Sequence, residues 1–272
     1  MFKNILIGQY FPSKSPIHRL DARIKIIMMM AYIILVFNAD KPVSLIMIAV
    51  YTLTIVIVSN IPLKLILKGF IPVIWIFIFT SIVNIFSVSG ETLLSFKLFR
   101  WTLKITKEGI LKSVFINTRL LLLLTGTSLL TLTTQPLMLT DGIEQLLKPL
   151  RKIKIPVHEI AMMMTIAIRF IPTLADEAEK IKNAQLARGA DFESGNIIKR
   201  AKSMLPLLVP LFISAFRRAD ELSTAMEARC YNGGENRTRM KQMHITLYDI
   251  SAIIVFAVCS LFLLISEFVI EF

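Results

Sequence analysis

Apolar residues along this chain fall into long runs rather than scattered positions. Ile26–Phe37 and Val43–Val58 carry no charge and are separated by the turn-forming Asn38-Ala39-Asp40-Lys41-Pro42. Each is shorter than the roughly 20 residues that cross about 30 Å of hydrocarbon. Ile24 and Ser59–Ile61 can extend them, and Lys25 can snorkel toward water along its aliphatic stem, so the pair predicts a hairpin of two membrane helices. Gly69–Val88, Leu120–Thr140 and Ile250–Ser266 are further uncharged stretches and predict three more spans. Pro72 falls near the start of the first of these, where a helical turn tolerates proline.

Asp141–His244 breaks the pattern. It is densely charged and holds two apolar patches, Ile160–Ile168 and Met204–Phe216, each too short to span. Arg169 and Pro172 are expected to close the first patch; Pro206 and Pro210 are expected to interrupt the second. Asp176, Glu177, Glu179, Lys180 and Lys182 follow with a helical period. The expectation is amphipathic helices at or under the membrane surface, with two more short, tilted spans as the alternative. The chain thus divides into a membrane part over 1–140 with four spans, a cytoplasmic part over 141–244, and a fifth span in 245–272.

Composition agrees with this division. Of 272 residues, 55% are hydrophobic and 18% charged, against about 45–50% and about 25% in soluble domains. The net charge of +12 must therefore concentrate outside the uncharged runs. Lys3, Lys14, Arg19, Arg23 and Lys25 precede the first span, Lys64 and Lys68 follow the second, and the first loop has only Lys41. The excess of basic residues on cytoplasmic loops then places the N-terminus and Asp141–His244 in the cytoplasm and the C-terminus outside. The loop at Gly90–Lys112 runs against this, with Lys97, Arg100, Lys104, Lys107 and Lys112 set against Glu91 and Glu108. Lipid headgroups are the natural partner for the basic excess. No nucleic-acid-binding pattern is present. Cys230 and Cys259 have neither disulfide-framework nor zinc spacing, and the first residues lack the apolar core and cleavage site of a signal peptide.

Two stretches of the charged part echo each other. ADEAEKIKNAQLARGAD (Ala175–Asp191) and ADELSTAMEARCYNGG (Ala219–Gly234) each begin Ala-Asp-Glu after an apolar patch and reach Ala-Arg followed by a small residue. An arginine thus stands in the last turn of both helices. Cations favour helix C-termini through the macrodipole, and Gly189 suits the left-handed residue after a helix end, so one such arginine needs no further role. Two of them suit docking to two similar partners, since arginine packs its stem while its planar fork makes several hydrogen bonds.

At these residues the chain resembles the transmembrane (T) component of energy-coupling factor transporters, ABC-type importers of vitamins and metals. QYFPSKSPIHRLDARIKI, LTDGIEQLLKPLRKIKIP, LARGAD and AMEARCYNGGENRTRMK carry the resemblance, from the N-terminus to about Lys241. It implies an all-α membrane protein of about five transmembrane helices plus a set of amphipathic coupling helices. It also implies that Ala187-Arg188-Gly189 and Ala228-Arg229-Cys230 end two coupling helices, each docking on one of two ABC-type ATPase subunits that bind ATP and Mg. A membrane-embedded substrate-binding S component would face Met162, Met163, Met164, Leu207, Leu208 and Leu211. Cys230 stands where the family usually has glycine. Since a non-glycine residue costs about 1 kcal/mol in the left-handed region, another conformation is expected there, with Tyr231-Asn232-Gly233-Gly234 supplying turn residues beyond it.

No catalytic constellation competes with this. The chain has no GxxxxGK[ST] phosphate loop, and His18, His158 and His244 are scattered. A membrane-embedded enzyme would have to draw on Asp141, Glu144, Asp176, Glu177, Asp220 and Glu221, whose surroundings look like helix surface. A channel or secondary transporter would need ionisable groups at mid-membrane; the nearest, Arg119, lies at a span edge where snorkelling accounts for it. Thr125, Thr127, Ser128 and Thr131 fit close helix packing, and the methionine triplets fit adaptable apolar filler.

Overall fold

A computed structural model of the chain describes residues 10–98, 101–192, 194, 196–233 and 244–269. Lys3, Gln9, Arg100 and the Gly234–Lys241 end of the last family-like stretch lie outside the described residues. Two compact units emerge: Tyr10–Gly142 with Met243–Phe272, and Ile143–Gln242.

The first unit opens with a single helical turn, α1 (Pro16–Arg19), whose N-cap Ser15 accepts from the His18 backbone N–H. The His18 ring accepts from Ser15 Oγ at Nδ1 (2.6 Å) and donates from Nε2 to the Phe11 carbonyl (2.9 Å). Burial holds this imidazole below its usual pKa, which favours the neutral ring with its proton on Nε2 toward Phe11. Next come α2 (Ala22–Asn38), capped by the Asp21 carboxylate on the Arg23 N–H, and α3 (Pro42–Ser59), with a proline in its first turn. Both extend beyond their apolar runs, as the flanking residues implied. Burial works to raise the Asp21 carboxyl, but the hydrogen bonds and charge of Arg23 outweigh it and hold it below its ordinary value.

The third rod starts earlier than its sequence suggested. α4 (Leu63–Phe70) leads through a 3₁₀ turn at Ile71–Val73 into α5 (Ile74–Ser87). Pro72 therefore sits at an internal tightening rather than in a first turn, because Leu63–Phe70 is itself a good helix former despite Lys64 and Lys68. The loop expected at Gly90–Lys112 is instead a hairpin of β1 (Thr92–Leu98) and β2 (Trp101–Thr106), antiparallel with Leu98 opposite Trp101. It is followed directly by α6 (Lys107–Thr133). Thr106 caps α6 by accepting from the Gly109 N–H (3.1 Å) and also donates to the Val88 carbonyl (2.7 Å). α6 ends at Thr133 and α7 (Pro136–Leu147) begins after a two-residue break. The span expected over Leu120–Thr140 is thus displaced toward the N-terminus, since Pro136 lacks the N–H that continuation would need. α11 closes the unit at Leu247–Val269.

Polar groups join these helices from within. Lys25 does not snorkel: it is buried, and its ammonium donates to the Thr133 carbonyl (3.0 Å) and Thr134 Oγ1 (3.3 Å) at the C-terminus of α6, where cations are favoured. Beside it, fully buried Asp249 accepts from the Asp21 N–H (2.8 Å) and from both the N–H and hydroxyl of Thr246 (2.7 Å each), pinning the start of α11 to the start of α2. Arg119 lies well inside α6, where its guanidinium donates to the Ala39 carbonyl (2.5 Å) and Asp40 (3.2 Å) over the Phe115 ring. It thereby fixes the α2–α3 turn instead of reaching for water. Glu267, near the far end of α11, accepts from Ser44 (2.5 Å) on α3.

Mid-helix, the Tyr32 hydroxyl donates to the Leu122 carbonyl (3.0 Å) and pairs with Thr52 (2.9 Å). Gly126 makes room for that ring: a Cβ there would lie 2.6 Å from it. Around these bonds pack Tyr32, Val36, Leu45, Ile48, Leu122 and Leu263, while Ile27, Ile34, Val50, Leu53, Trp75 and Phe79 face outward. Hydrogen-bonded seams inside and apolar side chains outside are what a bilayer solvent demands.

The second unit is built on two long helices, α8 (Val157–Ala187) and α10 (Leu205–Ala228). The 3₁₀ stretch Lys148–Ile153 precedes α8, and the short α9 (Ile197–Ser203) precedes α10. Two of the proline expectations fail, since α8 runs on through Pro172 and α10 through Pro210, whereas Pro206 stands in the first turn of α10 just after the break at Met204. The lost backbone bond, about 3 kcal/mol in isolation, is offset by strong helix formers downstream and by packing of the two helices on each other.

Among the described residues, five helices are long and apolar enough to cross a membrane: α3, the Leu63–Ser87 rod, α6, α8 and α11 over Leu247–Glu267. α8 qualifies because Pro172 does not end it, contrary to the expectation that its patch was too short. Its apolar residues lie in the first half, and ADEAEKIKNAQLA fills the rest. α2, at 17 residues, is marginally shorter. This is an all-α membrane protein, with the one hairpin as its only sheet among the described residues.

Candidate functional site

The predicted arginines stand just beyond the last helical residues of α8 and α10. At the first end Arg188 is the C-cap; the Gly189 N–H donates to Leu186 O (3.0 Å) and the Ala190 N–H to Gln185 O (3.0 Å). At the second, Arg229 is the C-cap; the Cys230 N–H donates to Glu227 O (2.8 Å) and the Tyr231 N–H to Met226 O (3.0 Å). These are the same paired bonds, the Schellman arrangement, and both need a left-handed residue after the cap. Gly189 supplies it at φ +84° and Cys230 at φ +56°. The expectation that Cys230 would leave this region is therefore overturned: two backbone bonds hold it there against a local cost of about 1 kcal/mol.

Ala187, Arg188, Gly189, Ala228, Arg229 and Cys230 are all exposed. Among the described residues, neither arginine side chain has a partner within the chain. Both forks are presented outward, each on the same backbone geometry.

One polar bridge ties the two helices together. Glu177 on α8 accepts from Ser214 and from Arg218 (2.8 Å) on α10. Leu207, Leu211, Ser214 and Arg218 follow the i, i+4, i+7, i+11 spacing of one helix face, so that face of α10 is turned toward α8. Met162 lies fifteen residues before Glu177, on the corresponding face of α8, and like Leu207 and Leu211 it is half-buried.

Met163, Met164 and Leu208 are exposed. The six apolar residues singled out from sequence are therefore divided between two faces. A continuous triplet cannot share one face at 100° per residue. What sequence reasoning missed is the outward stripe of α10, formed by Leu205, Leu208, Val209, Phe212, Ile213 and Phe216, all more than half exposed. α8 carries a shorter version in Ile160, Met163, Met164 and Ile171. The i, i+3, i+4, i+7 spacing was the available signal, obscured by the prolines taken as interruptions.

Each helix thus combines an inner face that holds its neighbour, an outer apolar face that the chain leaves uncovered, and an arginine-capped end. Such an apparatus has surfaces for partners and presents no convergent catalytic groups among its described residues.

Comparison with known proteins gives this arrangement its context. The cobalt transport protein family matches residues 13–240. An energy-coupling factor transporter transmembrane protein of Thermosediminibacter oceani is 50% identical over 267 residues, covering 98% of this chain and 99% of the relative. Its counterpart in Clostridium kluyveri is 52% identical over 253 residues (93% of each chain), and that of Bacillus subtilis is 44% identical over 255 residues (93% and 95%). Identity at that level over both units, with the two arginine-capped helix ends inside the matched region, means that the chain belongs to the cobalt transport protein family, as a transmembrane (T) component of an energy-coupling factor transporter.

Proposed function

We propose that Ala187-Arg188-Gly189 and Ala228-Arg229-Cys230 are two docking ends, each seated on one of two ABC-type ATPase subunits that bind ATP and Mg and perform the hydrolysis. The observation that carries this reading is the repetition of one backbone geometry at two exposed ends, each projecting an unpartnered arginine. A single helix-capping arginine would serve its own helix; two identical ones serve a symmetric pair of partners.

A small S component that binds the vitamin or metal ion within the membrane would rest on the uncovered apolar faces of α8 and α10. Met163, Met164 and Leu208 lie on those faces; Met162, Leu207 and Leu211 support them from beneath. Closure of the ATPase pair on ATP would move the two arginine ends relative to each other. Glu177, with Ser214 and Arg218, is the point about which that movement would reach the apolar faces. Coupling of this kind needs contacts that differ between the two states. The N-terminus and Asp141–His244 lie on the cytoplasmic side in this scheme and the C-terminus outside, as the basic residues before α2 and after α3 favour.

The test is co-purification of the ATPase subunits with the tagged chain, together with substrate uptake in cells. Arg188→Ala or Arg229→Ala is expected to weaken ATPase retention by about tenfold or more, as loss of an interface hot spot does, and the double variant is expected to abolish uptake. Unchanged retention in the double variant would refute the docking assignment.

A further inference from the structure

The N-terminal ends of the two coupling helices share a feature that docking at their C-terminal ends does not use. α8 is preceded by LKPLRKIKIP (147–156), and NIIKRAKSML (196–205) runs through α9 to the first residue of α10. Together the two stretches hold Lys148, Arg151, Lys152, Lys154, Lys199, Arg200 and Lys202, with no acidic and no aromatic residue. All seven cations are exposed, and among the described residues Lys148, Lys152, Lys154, Lys199, Arg200 and Lys202 form no ion pair. Interleaved with them are aliphatic side chains that the chain also leaves bare, Ile153 at 74% exposure and Ile198 at 73% among them.

Arg151 and Lys152 stand in the last turn of the 3₁₀ stretch and Arg200 and Lys202 in that of α9, where positive charge is favourable, but at the starts of α8 and α10 the same charges are unfavourable, and Lys148, Lys154 and Lys199 lie outside those last turns. Exposed aliphatics likewise gain nothing from water. Alternating lysine and aliphatic residues match one environment, the boundary where anionic headgroups meet acyl chains. A protein partner fits less well. Protein interfaces are enriched in aromatic residues and arginine and depleted in lysine, whereas five of these seven cations are lysines and no ring is present.

We infer that 147–156 and 196–205 are two membrane-surface anchors that bind anionic phospholipid headgroups and insert Ile153 and Ile198 into the headgroup boundary. The roots of both coupling helices are thereby held at the leaflet while their arginine ends stay free for partners. The inference rests on the chain being a membrane protein and is independent of what docks at Arg188 and Arg229.

The experiment uses the full chain with both native cysteines replaced by serine, a fluorescent probe on Ile153→Cys or Ile198→Cys, and reconstitution into lipid nanodiscs. Discs are either pure phosphatidylcholine or phosphatidylcholine with about 30% phosphatidylglycerol, and brominated acyl chains report probe insertion by quenching. Quenching is expected in the anionic discs and to be several-fold weaker in neutral ones. Each of Lys148→Gln, Lys152→Gln, Lys199→Gln and Arg200→Gln should shift the inserted-to-free ratio by about fivefold. Lys152→Arg and Lys199→Arg, which keep the charge, should retain the quenching. Equal quenching in both lipids, none in either, loss in the charge-keeping variants, or probe coverage only after addition of ATPase subunits would each overturn the assignment.

Discussion

The two units solve opposite problems with the same element, the long apolar helix. Around α2, α3, α6 and α11, polar groups are turned inward and satisfied across helices: Lys25 on Thr133, Asp249 on Asp21 and Thr246, Tyr32 on Thr52 and Leu122. Among the described residues, the α8–α10 pair is bridged by polar groups at Glu177, has no buried side chain on α10 and keeps its apolar stripes uncovered. The difference separates a unit tied together by internal polar contacts from one whose helices meet at few polar points and keep bare apolar faces.

The sharpest way to break this comparison is at Asp249. Its fully buried carboxylate takes three hydrogen bonds and lies close enough to Arg23 and Lys25 to influence both electrostatically. Asp249→Ala would leave the Asp21 and Thr246 N–H groups without their acceptor and would leave Asp21 alone to offset the charges of Arg23 and Lys25. The expected loss is about 3–5 kcal/mol, read as a fall in the melting temperature of the full chain in detergent. Ordinary melting of this variant would mean that the first unit does not depend on its internal polar contacts.

Next in size is a contrast between glycines. At Gly109 a Cβ would sit 2.9 Å from the Asn84 carbonyl and 3.0 Å from that of Ile85, where α5 and α6 approach backbone to backbone. Gly109→Ala should therefore destabilise by about 2 kcal/mol, in the range of overpacked cores. A Cβ at Gly189 meets nothing within 4 Å, so the same substitution at the end of α8 faces only the backbone cost of φ +84°. Parallel melting curves for the two alanine variants check the ranking. Equal effects would contradict the distinction between a frame closed on itself and an open end.

How far the sequence discloses these features follows the reach of the interactions. The arginine ends are legible because a Schellman cap is local: Ala-Arg-Gly after a run of helix formers is enough. The apolar runs likewise reveal the membrane helices, and the resemblance at QYFPSK and LARGAD extends that to the family. Lys25, Arg119 and Asp249 were opaque because their partners on other helices and turns lie 79 to 228 residues away. A lysine near a span end is compatible with snorkelling until Thr133 is known to be beside it. Pro172 and Pro210 misled for the opposite reason: a strong local signal gave way to packing between α8 and α10. Cys230 misled in the same direction, since its side chain argues against a left-handed backbone that two capping bonds impose.

A smaller effect is expected at the bridge. Glu177 and Arg218 are both partly exposed, so solvent screens the pair, and Glu177→Gln should leave the melting temperature of the chain nearly unchanged. Its consequence belongs to transmission: ATPase subunits should remain bound while substrate uptake falls, because the docking ends are intact but the helices are less firmly joined. Loss of ATPase retention in step with uptake would show that the bridge serves docking and does not transmit movement between the helices.

The smallest effect tests the two ends against each other. They share a cap geometry but differ in the residue that occupies its left-handed position, Gly189 in one and Cys230 in the other. Cys230→Gly removes a backbone cost of about 1 kcal/mol, and the greater freedom of glycine in the unfolded chain offsets roughly half of it. A net gain of about 0.5 kcal/mol is expected, with Gly189→Cys producing a loss of similar size. Both should leave Arg188 and Arg229 presented as before, so retention of the ATPase subunits should not change. Melting of the two single exchanges and of the double exchange checks this directly: if the caps are equivalent, the double exchange restores the original stability. A double variant well below the original would mean that Cys230 does more than occupy a turn, and that the two arginine ends, alike in backbone, are not interchangeable.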